Sequence, residues 1–85
     1  MAKENRDTEF FDLTAVVWRE GDDFVSLCPE LGISSCGGSL ENATAMLKEA
    51  VDLFIENARE LDMLDAALEG LSAEHRWTTS FRVAV

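Results

Sequence analysis

Gly21-Asp22-Asp23-Phe24-Val25-Ser26-Leu27-Cys28-Pro29-Glu30-Leu31-Gly32-Ile33-Ser34-Ser35-Cys36-Gly37-Gly38-Ser39-Leu40 changes conformation several times within one short run. Glu20-Gly21-Asp22-Asp23 is turn chemistry, because Gly accepts a positive φ and Asp bonds its own backbone. Phe24–Cys28 is rich in strand formers, and Pro29 ends it by removing a ladder donor. Ile33–Cys36 reads as a short third strand, closed by Gly37-Gly38. Ser39 is a good N-cap, with Glu41 in the first turn and Asn42 standing in for the acid of a capping box.

Working back from this run, Phe10 to Arg19 reads as the first strand, hairpinned to the second. Leu13, Ala15 and Val17 share one face, and Thr14, Val16 and Trp18 the other. Residues 1–9 are polar and charged and read as a flexible arm. Working forward, Leu40, Ala43, Leu47, Ala50, Val51, Phe54, Ala58 and Leu61 recur at helical spacing within about 100° of arc, a core-facing stripe. Met46, Leu53 and Ile55 widen the apolar arc to about 200°. Opposite lie Glu41, Lys48, Glu49, Asp52, Glu56, Arg59 and Glu60.

One helix on one small sheet does not need so wide an arc, so something else is expected to rest on Met46 and Leu53: a second copy, a partner, or the segment that follows. That segment, Asp62 to Leu71, reads as a helical continuation or a short second helix after a bend. From Trp77 the chain alternates, with Trp77, Thr79, Phe81, Val83 and Val85 on one face, and is expected to return as a closing strand. Strand, strand, strand, helix, strand makes an α+β two-layer sandwich, a single domain over residues 1–85.

Seven Lys plus Arg against 17 Asp plus Glu give a net charge of −10. Affinity for nucleic acid comes mainly from cations replacing counterions on phosphates, so direct DNA or RNA binding and docking on an anionic membrane are disfavoured. A basic protein partner is favoured instead, because opposite fields speed encounter and reject wrong partners. The field is uneven: residues 39–74 hold nine acids and two bases, whereas residues 75–85 hold two Arg and no acid. No apolar run approaches the roughly 18 residues of a membrane span, and the charged start has no signal-like apolar stretch, so the expected location is cytoplasmic.

Catalytic and metal constellations are sparse. Cys28, Cys36 and His75 do not have zinc-site spacing, a disulfide does not suit a reducing compartment, and the two thiols are expected to be small buried hydrophobes. His75 has no nucleophile or orienting acid beside it. Asp12 with Glu49 or Glu56 is the one carboxylate set that suggests metal-dependent phosphodiester hydrolysis, a distant alternative, since these acids read better as a solvated surface. Trp18 and Trp77 fit cross-strand packing and, as the second reading, an interface. Gly37-Gly38-Ser39 lacks the Lys and fuller glycine pattern of a phosphate loop.

The run Gly21–Ala43, followed by Leu47-Lys48-Glu49-Ala50-Val51-Asp52-Leu53-Phe54, resembles the HicB antitoxin family. The likeness lies in the acidic turn, the aromatic strand into Cys28-Pro29-Glu30-Leu31, the Gly38-Ser39-Leu40-Glu41 helix start and the Leu47–Ala50 helix body. It covers roughly half the chain closely. The resemblance implies a partial RNase H-like β-β-β-α-β fold without catalysis or cofactor. It also implies a role in neutralising a small, basic, mRNA-cleaving HicA-like toxin by covering its active face. Family members commonly continue into a helix-turn-helix or ribbon-helix-helix segment, and no such DNA-binding domain is expected here. Self-association into a dimer or higher homo-oligomer is expected through Met46 and Leu53 or the sheet edge, with Trp18 and Trp77 as further interface candidates. A standalone homo-oligomeric structural or accessory protein without a toxin is the alternative.

Overall fold

Gly21, at φ 62°, and Asp22 form a two-residue turn between Glu20 and Asp23, which face each other across the first ladder. Positive φ at the first turn position is the pattern of the II′ hairpin, which Gly fills without strain. A computed structural model describes residues 10–71, 77 and 79–85 of the chain. It divides into two compact units, Met1–Ala50 and Val51–Val85.

In the first unit, β1 (Val16–Glu20), β2 (Asp23–Cys28) and β3 (Ile33–Gly37) form an antiparallel sheet in the order β1-β2-β3. The β2–β3 link is pinned by the Cys28 carbonyl, which accepts from the N–H groups of Leu31 (3.3 Å) and Gly32 (2.8 Å), and Gly32 takes a φ of 68°. Helix α1 (Leu40–Glu60) starts on the expected cap: Ser39 Oγ accepts from the Asn42 N–H at 3.0 Å, and Asn42 Oδ1 accepts from the Gly38 N–H at 3.1 Å. The reciprocal bond of the capping box is thus made one residue before the cap.

Small residues bring the first turns of α1 close to the sheet. Ser26 is fully buried and donates its hydroxyl to the Ala43 carbonyl at 2.9 Å, and Cys28, Ala43 and Leu47 are buried with it. A Cβ on Gly37 would meet Asn42 Oδ1 and lie only 2.6 Å from the Ala43 nitrogen.

Three expectations need correction here. The first strand begins at Val16, not Phe10, because its partner β2 ends at Cys28 before Pro29. With no ladder to join, Thr14 donates its N–H to the Glu30 carboxylate. The core stripe is also shorter than its periodicity: Ala43, Leu47 and Ala58 are buried, but Leu40, Phe54 and Leu61 are exposed. Periodicity places these side chains on one face of the helix, but only those with packed neighbours are buried. Cys36 is exposed rather than buried, since it alternates out of phase with Ile33, Ser35 and Gly37 on the helix-facing side.

In the second unit, α1 ends in a Schellman motif. Met63 N–H reaches the Ala58 carbonyl at 2.7 Å and Asp62 N–H the Arg59 carbonyl at 3.1 Å, with Asp62 left-handed at φ 60°. The expected short helix after a bend follows as α2 (Leu64–Leu68), ending in a 3-10 turn, Glu69–Leu71, whose Leu71 is buried. The expected closing strand is a further correction. Residues 77 and 79–85 take part in no strand, and Trp77 (84 % exposed), Phe81, Val83 and Val85 are open to solvent. Alternation specifies which side chains share a face, but a strand also needs a neighbour with which to bond. A mixed α+β architecture with a three-stranded antiparallel sheet is what the described residues form. Among them no helix is long and apolar enough to cross a membrane.

Candidate functional site

The Cys28-Pro29-Glu30-Leu31 turn carries the most perturbed group of the described residues. The Glu30 carboxylate accepts from the Thr14 N–H (3.0 and 3.1 Å to its two oxygens), from the Thr14 hydroxyl (2.6 Å) and from the Cys28 thiol (3.4 Å). Partial burial pushes the Glu30 carboxyl up, but the hydrogen bonds from Thr14, from its own backbone and from Cys28 outweigh that and lower it to about 2. Burial raises the Cys28 thiol, the Leu31 N–H opposes this, and the bond to the anionic Glu30 adds to the rise. A thiol held in its neutral form is a poor nucleophile. Both perturbations are explained by a structural latch that ties the segment before β1 to the β2–β3 turn. A single acid after a proline does not announce a partner 16 residues away, so the sequence carries no signal for this latch.

On the sheet face opposite α1, the register sets Trp18 beside Val25 and Cys36, and Val16 beside Leu27 and Ser34. Trp18 is 38 % exposed and its indole N–H donates to Glu20 Oε2 at 2.9 Å. It stands opposite Val25 in the register but is exposed, which corrects its reading as a core residue. Cys28 and Cys36 are free and point to opposite faces of the sheet, which a disulfide cannot bridge without moving the backbone.

Among the four interface candidates, Trp18 and Met46 do not share a surface: Met46 is half-buried in α1, and Trp18 lies on the sheet face turned away from that helix. In the second unit, Leu53 is 56 % exposed, with exposed Asp52, Glu56 and Glu60 on the same helix. Glu56 stands one turn on from Leu53 and Glu60 two turns on, so carboxylates line one side of the apolar side chain. Trp77, expected to pack in a closing strand, is open to solvent, which is a correction to its core reading.

Asp12, Glu49 and Glu56 are exposed, and no group of three or more His, Cys, Asp or Glu able to hold a metal occurs among the described residues. His75 lies outside the described residues. Comparisons with family models, with curated proteins and with solved structures found no match for this chain.

Proposed function

We propose that this chain is a HicB-like, antitoxin-type binding module with a partial RNase H-like core. It neutralises a small basic HicA-like mRNA-cleaving toxin by covering the toxin's active face, and does no chemistry of its own. The observation that carries this reading is Leu53, a large apolar side chain open to solvent and bordered by Glu56 and Glu60. An apolar anchor rimmed by one sign of charge suits a partner of the opposite sign, the anchor contributing affinity and the rim contributing on-rate and selectivity. The net charge of −10 extends the same field over the molecule. The order β1-β2-β3-α1 supports the family likeness, as does the Glu30 latch, which gives the Cys28-Pro29-Glu30-Leu31 motif a structural use.

The test is whether the adjacent reading frame encodes a short basic protein and whether that protein, once purified, binds this chain. Submicromolar association that weakens steeply with salt is expected, together with loss of that protein's RNA cleavage. Leu53→Asp, and Glu56→Lys combined with Glu60→Lys, each lower affinity about tenfold or more while the helical signal in circular dichroism is kept. A neighbour that does not bind at low salt, or that cleaves RNA at an unchanged rate when saturated, overturns the reading.

A further inference from the structure

We propose that residues 77–85 of one molecule add as an outer strand to the β1 edge of a second copy of this chain, so that two copies exchange these segments in a two-fold dimer. The inference is independent of any toxin.

Its starting point is a mismatch between pattern and environment. The segment alternates Trp77, Thr79, Phe81, Val83 and Val85 against smaller or polar residues, as a half-buried strand does. Yet its described residues belong to no strand, and Phe81 is 87 % exposed, with Trp77, Val83 and Val85 open as well. The sheet offers the complementary vacancy. In the order β1-β2-β3, β1 and β3 are both edges, each with one row of ladder groups unused among the described residues.

The two edges are not equivalent. On the face turned away from α1, β1 presents Val16 and Trp18, both exposed, whereas β3 presents the smaller Ser34 and Cys36. An incoming strand with one aromatic and β-branched face gains cross-strand partners at β1 and few at β3. Charge favours the same pairing. Residues 75–85 carry two Arg and no acid, while residues 1–74 carry 17 acids and five bases, with Glu20, Asp22 and Asp23 gathered at the end of β1. Exchange between two copies fills both β1 edges with the same contacts made twice, which is how a closed two-fold assembly forms.

Sedimentation velocity on the full chain tests this, with circular dichroism to follow folding. The full chain is expected at twice its chain mass. Phe81→Asp, which damages the donated strand, and Trp18→Lys, which damages the receiving edge, are each expected at the single-chain mass with their spectra intact. Mixed in equal amounts, the two variants are expected to regain dimer, because a Trp18→Lys copy still donates a sound strand to the sound edge of a Phe81→Asp copy. If one variant loses its fold, Arg82→Glu replaces it, with weakened dimerisation as the expected result. A full chain at single-chain mass at every concentration, a Phe81→Asp protein that stays dimeric, or two folded monomeric variants whose mixture shows no dimer overturns the exchange.

Discussion

In the first unit, the residues where sheet and helix meet are small: Ser26, Gly37 and Ala43 let the backbones approach closely enough for a side-chain hydroxyl to reach a helix carbonyl. In the second unit, Ala58 and Leu71 are buried, while Leu53, Leu61, Met63, Trp77, Phe81 and Val83 face solvent. Both units leave large apolar side chains open, Val16, Trp18 and Leu40 of the first among them, but it is in the first that small residues close a sheet onto a helix. The difference separates two uses of apolar sequence: one holds a fold together, and the other supplies surface for association.

The comparison breaks most sharply at Gly37. Gly37→Ala places a Cβ against the backbone of Asn42 and Ala43, where no flexible side chain end can yield, and is expected to cost about 2–3 kcal/mol. Urea denaturation reads this as a lower midpoint, and an unchanged midpoint would mean that the helix start is not held as closely as described. Ser26→Ala is expected to cost about 1 kcal/mol, since a buried hydrogen bond to the Ala43 carbonyl is lost while that carbonyl keeps its helical donor.

Glu30 sharpens the comparison through pH. Its carboxyl is held near 2, below the ordinary 4.5, so it stabilises the folded chain fully above about pH 4.5 and loses that contribution as pH falls toward 2. Because the group is partly solvated, the contribution is on the order of 1 kcal/mol rather than the full amount the displacement implies. Denaturation midpoints at pH 7, 4.5 and 2.5 should show the loss, and Glu30→Gln should lower the midpoint at pH 7 and flatten the acid side. The smallest effect is expected in the second unit and has the opposite sign. Asp62→Gly relieves a left-handed residue at the end of α1 and should stabilise by about 0.5 kcal/mol, the gain being reduced by the greater freedom of Gly in the unfolded chain.

The local signals were the legible ones. Gly21, Pro29 and Ser39 act on neighbours within four residues, through allowed φ, a missing donor and a capping oxygen, and each marks a real boundary. The helical stripe was legible as a periodicity but not as a core, because burial depends on the extent of the surface opposite. The candidate site divides in the same way. The exposure of Leu53 among carboxylates follows from the breadth of the apolar arc, whereas the Glu30 latch depends on a hydrogen bond across two loops.

The hairpin between β1 and β2, the position of the turns, the helix start and the acidic field were determined by the sequence alone, since each arises from adjacent residues or from composition. Only the tertiary structure decided that Thr14 is the partner of Glu30, that Cys28 is sheltered while Cys36 is open, and that residues 77 and 79–85 join no strand. Those outcomes turn on which distant groups come within hydrogen-bonding or packing distance, and no periodicity along the chain encodes that.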